Sequence, residues 1–250
     1  MIIAHISDTH IDFDSANLDA RLREFEDVIA DINALDPAPD LIIHTGDIVH
    51  NGRPDEYKKA VAILQQANAP VYALVGNKDD RANMREAFSG FGFIRPDTEF
   101  VDYCVEDFPV RLIMLDTLLA GSNMGGFCDN RMQNLETMIA EDTTKPIAIF
   151  MHHPPCEISV GPSPTHFEDL EVISNLTDAL KKPGRITSIF SGHVHRSTTG
   201  WVENIPVTVM TAINTALRWG DYPDHLKSRP TYYVHRYDEN SGFVTETRIV

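Results

Sequence analysis

Ile2-Ile3-Ala4-His5-Ile6-Ser7-Asp8-Thr9-His10 is an apolar run that stops on a carboxylate and an imidazole. Residues 2–6 read as a β-strand, and four later runs end in the same way. Residues 41–43 lead to Gly46-Asp47, and 71–75 lead to Gly76-Asn77. Residues 147–151 lead to His152-His153, and 186–190 lead to Gly192-His193-Val194-His195. In an open α/β sheet, ligands bind beyond the carboxyl ends of the strands. Five strands can therefore bring two carboxylates, one amide and four imidazoles to one place. That donor set suits a pair of divalent metals, and a metal pair suits hydrolysis of a phosphate ester.

Between these runs lie helical patterns. Leu18, Leu22, Phe25, Val28, Ile29 and Ile32 recur at helical spacing over residues 18–35. Asp36-Pro37-Ala38-Pro39-Asp40 ends that segment. Residues 55–67, 81–88, 130–140 and 169–181 read as further helices. The order strand, helix, strand predicts a parallel sheet with right-handed crossovers. Residues 99–105 and 110–116 read as strands. After His195, residues 198–202, 207–211, 231–237 and 243–249 read as strands in a mostly antiparallel half. Residues 121–126 and 157–167, the latter containing Pro162 and Pro164, read as loops. The expected fold is α/β: two mixed β-sheets packed face to face with helices outside, a four-layer αββα sandwich. One domain over residues 1–250 is expected, because no linker-like stretch divides the chain.

The net charge of −16 disfavours long nucleic acid and anionic membrane surfaces, which reward basic patches. It does not exclude a small phosphate ester, because bound metals invert the local sign. No apolar stretch approaches the ~20 residues that span a bilayer. The first residues enter a strand without a basic leader pattern, so a cytoplasmic location is expected. Cys104, Cys128 and Cys156 lie far apart and read as isolated cysteines in a reducing compartment.

Imidazole and carboxylate donors suit Mn, Fe or Zn. Glycines before Asp47, Asn77 and His193 fit sharp turns where backbone approaches the metals closely. The series Asp8-Thr9-His10, Gly46-Asp47, Gly76-Asn77, His152-His153-Pro154-Pro155 and Gly192-His193-Val194-His195 resembles the metallophosphoesterase (calcineurin-like) superfamily. Within it, the chain is similar to bacterial class III cyclic-nucleotide phosphodiesterases and glycerophosphodiesterases. The resemblance implies two divalent or trivalent metal ions. Asp8, His10 and His195 would bind the first, Asn77, His152 and His193 the second, and Asp47 would bridge them. It also implies hydrolysis of a small phosphodiester by a metal-activated water, with a cyclic nucleotide preferred. Alternatives are a glycerophosphodiesterase or phosphomonoesterase on the same scaffold, or a weakly active metal- or nucleotide-binding protein. The family pattern usually places histidine after Gly-Asn, where this chain has Lys78. The candidate catalytic residues are therefore Lys78, His153 and Asp47, with His50 as another group near the site.

Several residues carry structural readings beside functional ones. His5 and His44 read as core or sheet histidines, and His166, His225 and His235 as surface or structural ones. Arg196 reads as a phosphate contact or a surface ion pair, Trp201 as core, and Trp219 as a pocket residue. Asp79-Asp80-Arg81 reads as a helix cap. A homodimer is left open, with no distinct sequence signal for it.

Overall fold

The computed structural model describes residues 1–95, 98–161 and 163–250. The chain begins with β1 (Ile2–Ile6), α1 (Leu18–Asn33), β2 (Leu41–His44), α2 (Pro54–Leu64), β3 (Val71–Ala73) and α3 (Arg81–Ala87). It continues with β4 (Tyr103–Val105), β5 (Arg111–Leu115), α4 (Asp129–Glu141), β6 (Ile147–Met151) and α5 (Leu170–Lys181). Six-residue β7 (Ile186–Ser191) is followed by β8 (Thr198–Val202), β9 (Ile205–Val209), β10 (Thr231–Asp238) and β11 (Gly242–Ile249). The first sheet has the order β11-β10-β1-β2-β3 and the second β4-β5-β6-β7-β9-β8. Both are mixed, so the expected α/β architecture of two mixed sheets with helices is present. Pro162 of the 157–167 loop lies outside the described residues.

Local chemistry explains the helices. α1 turns Phe25, Val28, Ile29 and Ile32 inward. α2 starts with Pro54 at its first position, where no N–H is needed, and Glu56 accepts from the Arg53 backbone N–H. Asp80 caps α3 by accepting from Asn83 N at 2.9 Å, as the cap reading expects. Asp169 caps α5 by accepting from Glu171 N at 2.8 Å. Phe150 and Phe190, from the second sheet, stack at 4.9 Å and join the core shared with the first sheet. A second core, with Leu135, Leu176 and Leu180, lies between the second sheet and α4 and α5.

Three expectations change. Residues 99–102 do not extend β4, because carboxylates take the place of a strand partner: Val101 N donates to Asp116 Oδ2 and Asp116 N to Asp102 Oδ1. The strand expected at 207–211 runs from Ile205 to Val209. Past it the backbone turns toward the first sheet, where Ile213 N donates to Ser7 O. Trp201 is 64% exposed rather than core. On edge strand β8 the inward positions belong to Gly200, packed on Cys156, and Val202, so alternation sends Trp201 outward. The final hairpin also leaves the second half of the chain: β10 pairs antiparallel with β1, Ile3 opposite His235.

Candidate metal centre

The turns after β1, β2, β3, β6 and β7 converge at one end of the sandwich. Among the described residues, the non-glycine positions with left-handed backbone are Asp8 (φ 57), His10 (φ 44), Asp47 (φ 51), His193 (φ 69), His195 (φ 56) and Glu203 (φ 53). All but Glu203 belong to the residues that the sequence singles out. Such a backbone costs an L residue about 1–2 kcal/mol and persists only where the surroundings enforce it. Here Asp8 N donates to Gly46 O at 3.1 Å and His10 N to Asp47 O at 3.0 Å. Gly76 is required by close approach, since a Cβ there would collide with Asp47 Oδ1 and the Asp47 backbone. A Cβ on Gly192 would collide with Ser7 Oγ and Asp8 Oδ2.

Two groups of donor atoms result. In the first, His195 Nε2 lies 3.2 Å from Asp8 Oδ1 and 3.0 Å from His10 Nε2. His10 Nε2 is 3.6 Å from Asp8 Oδ1 and 3.4 Å from Asp47 Oδ2. In the second, Asn77 Oδ1 is 3.1 Å from His152 Nε2 and 3.0 Å from His193 Nδ1. Asp47 Oδ2 stands 3.5 Å from His152 Nε2, so one carboxylate oxygen serves both groups. Asp47 Oδ1 is occupied by the Lys78 backbone N–H at 2.7 Å. Donors held at ~2.0–2.1 Å from one ion stand roughly 2.9–3.4 Å apart, close to this spacing.

The surroundings prepare these atoms for cations. Asp8 Oδ1 is buried and accepts no hydrogen bond among the described residues. His152 Nδ1 faces Thr45 O at 2.8 Å and His195 Nδ1 faces Leu217 O at 3.0 Å. Each ring then donates through Nδ1 and turns Nε2 inward. Burial opposes charge on both Asp8 and His195, yet their attraction holds the Asp8 carboxyl well below its usual range and raises His195. Burial likewise works against His152, but Asp47 lifts it to about 9. Acidic groups and paired imidazoles at this density fit a metal pair.

Other residues fall around the centre. His50 Nδ1 is 3.4 Å from His10 Nδ1. His153 is buried, with Nδ1 2.8 Å from Thr117 Oγ1 and Nε2 unpartnered among the described residues. Its ring nitrogen also groups with those of His152 and His193. Lys78 Nζ points to Asn123 Oδ1 at 2.8 Å. Arg196 forms no ion pair among the described residues; it donates to Trp219 O and Asp221 O and lies over the Tyr222 ring. It clamps the loop that carries Trp219. His166 is not a remote structural residue: its ring centroid is 5.3 Å from that of His193. His166 and Trp219 line a cavity of about 180 Å³ with Asn123, Met124, Val160 and His193. His5, His44 and His235 are buried, and His225 is exposed.

Two residues have roles that sequence reading did not give them. Asp79 is buried and accepts from Gly76 N, Ile48 N, Val49 N and Tyr57 Oη, tying the Asp47 turn to the Asn77 turn. Asn123 accepts from Lys78 and from Asn77 Nδ2. Its signal was the glycine-rich loop around it, which marks mobility of direction but no ligand. A third grouping, Cys104, Glu106 and Glu141, lies at the surface, where Arg111 already pairs with both glutamates.

The family profile of calcineurin-like phosphoesterases matches residues 1–197. The chain belongs to that family. Calcineurin-like phosphoesterases are phosphoric ester hydrolases, and this chain is an enzyme of that class. A probable glycerophosphodiester phosphodiesterase of Arcobacter nitrofigilis is 30% identical over 261 residues, covering 100% of this chain and 93% of that one. A cAMP/cGMP dual specificity phosphodiesterase of Mycobacterium tuberculosis is 30% identical over 227 residues, covering 84% and 67%. A dimetal phosphatase from Danio rerio shares the fold, with a TM-score of 0.70 at 13% identity over 99% of this chain and 98% of that one. Among the described residues, no helix is long and apolar enough to cross a membrane.

Proposed function

We propose that the chain, acting as one domain over residues 1–250, hydrolyses a small phosphodiester with two bound metal ions. The observation that carries this reading is the pair of donor groups sharing Asp47 Oδ2. Asp8, His10 and His195 would hold the first ion and Asn77, His152 and His193 the second, with Asp47 shared between them. When bound, the pair supplies Lewis acidity and a nucleophile at neutral pH, in the manner of Mn, Fe or Zn sites. The residues around it orient the ester. Lys78 offers its ammonium at the mouth of the site, where it meets a phosphoryl oxygen or the departing alkoxide. His153, buried with an unpartnered Nε2, stands behind the second group beside His152 and His193 and would orient it toward the ester.

A cyclic nucleotide is the preferred substrate. The cavity beside His193 is walled by Met124, Val160 and the Trp219 indole, which suits a flat base better than a glycerol unit. A glycerophosphodiester is the second reading, supported by the nearly full-length similarity to the Arcobacter nitrofigilis relative.

Hydrolysis of bis(p-nitrophenyl) phosphate, p-nitrophenyl phosphate, 3′,5′-cyclic AMP, 2′,3′-cyclic AMP and glycerophosphocholine with Mn²⁺ tests the proposal. Diesters should exceed the monoester, and a cyclic nucleotide should exceed glycerophosphocholine in kcat/KM. Chelation should abolish turnover and Mn²⁺ restore it. Asp47→Ala should reduce kcat by about 10³-fold or more, the loss of several kcal/mol of transition-state stabilisation. Unchanged turnover in Asp47→Ala, or turnover without metal, overturns the reading.

A further inference from the structure

Behind the first donor group, a line of polar side chains crosses the apolar space between the sheets. Ser7 Oγ donates to Asp8 Oδ2 at 2.6 Å, and Thr45 Oγ1 donates to Ser7 Oγ at 2.8 Å. His5 Nε2 lies 2.9 Å from Thr45 Oγ1, and His5 Nδ1 lies 3.0 Å from His235 Nε2. His235 Nδ1 is 2.8 Å from Thr245 Oγ1, on the outer strand β11. Ser7, Thr45, His5 and His235 are fully buried, while Thr245 is exposed. Their neighbours are aromatic: Phe150 and Phe190 meet His5 edge-on, and Phe190 lies 4.1 Å from His235 between ring centroids.

Counting protons gives the line a direction. Thr45 has one hydroxyl proton and gives it to Ser7, so Thr45 must accept from His5. His5 therefore carries its proton on Nε2. Burial keeps both rings neutral, with His5 pushed down to about 3 and His235 held well below the usual histidine range. Neutral His5 accepts at Nδ1, so His235 donates from Nε2 and accepts at Nδ1 from the Thr245 hydroxyl. Every donor in the line points toward Asp8. The line ends on Asp8 Oδ2, which also accepts from His193 N at 3.0 Å. With Oδ2 filled, Oδ1 is the oxygen left facing His10 and His195.

We infer that Ser7, Thr45, His5 and His235 are positioning residues that hold Asp8 with Oδ1 turned toward the first metal. The inference rests on the two-metal reading. A hydrogen-bonded series polarises along its length, and a donor on the non-ligating oxygen fixes the ligand's rotamer. Breaking one link leaves a buried polar atom unpaired and frees Asp8 to turn. The close packing of Gly192 on Ser7 and Asp8 belongs to the same arrangement.

The test is Mn²⁺ titration of metal-free full-length protein by calorimetry, alongside its thermal unfolding. Thr45→Val and His5→Phe break the line. His5→Gln keeps a donor toward Thr45 and an acceptor for His235. Mn²⁺ affinity should fall 10–100-fold in the two breaking variants and stay within about threefold in His5→Gln, the range seen when partners of metal ligands are removed. Should His5→Phe fail to fold, Thr45→Val against Thr45→Ser, which keeps the hydroxyl, makes the same comparison. Equal affinity in parent and breaking variants overturns the positioning role and leaves the metal reading intact. A rescue variant as weak as its breaking counterpart also overturns it. No Mn²⁺ uptake by the parent overturns the two-metal reading and this inference with it.

Discussion

Lys78 is held at the mouth of the site by Asn123, with its backbone N–H on the Asp47 carboxylate. The backbone contact survives substitution, so Lys78→Ala isolates the ammonium. Its removal should lower kcat/KM on diesters with poor leaving groups by about 10²-fold or more, as loss of a proton donor does, and spare bis(p-nitrophenyl) phosphate. Equal losses on both would assign Lys78 a charge role alone. Asp102 gives a pH prediction away from the metals. Burial raises its carboxyl to about 7, despite the Asp116 N–H it accepts. The folded state thus binds this proton more tightly than the unfolded chain, whose carboxyl titrates near ~3.9. Its contribution is intact below ~4 and is lost as pH rises toward 7. Asp102→Asn should therefore match the parent near pH 4 and exceed it by on the order of 2 kcal/mol above pH 7.5, in urea unfolding. Asp102 did not stand out in the sequence and Asp79 stood out only as part of a helix cap, because an aspartate near a turn reads the same whether solvated or buried. The donor residues were legible, since each follows an apolar run that ends abruptly.

The turns between elements carry most of the site, and their glycines divide by what surrounds them. Gly76 lies against Asp47 side chain and backbone, whereas Gly90 has nothing within 4 Å of a built Cβ. Gly76→Ala should cost about 1–3 kcal/mol, as overpacking does, and weaken Mn²⁺ binding. Gly90→Ala should change the urea midpoint little. Comparable loss in both would show that backbone freedom, not close approach, is what Gly76 supplies. Strand and helix positions were readable from period and punctuation, with ends displaced by a few residues. Residues 99–102 misled because Val101 and Asp102 have strand-like company, yet their backbone and side chains bond with Asp116. Trp201 misled because size suggests core, while the pleat of β8 decides the side.

At the scale of the whole molecule, the two-sheet architecture followed from the alternating first half and the strand-rich second half. The return of β10 to β1 did not, since a strand's period says nothing of which sheet it joins. That return places His235 behind the site and closes the first sheet around β1. The left-handed backbone at Asp8, His10, Asp47, His193 and His195 has its effect at this scale too. The fold holds five residues in left-handed conformations that the hydrogen bonds of the converging turns enforce. Metal-free His195→Gly should unfold several degrees below the parent, because loss of the Asp8 partner outweighs about 1 kcal/mol of relieved backbone, and its Mn²⁺ uptake should fall. A midpoint at or above the parent's would show that the backbone tension outweighs the pairing with Asp8. Bound cations add stability as the logarithm of their free concentration, about 2.7 kcal/mol at one hundred times the dissociation constant. Survival against proteases should then track metal supply, with the chain lasting longer in a protease digest with Mn²⁺ than without it.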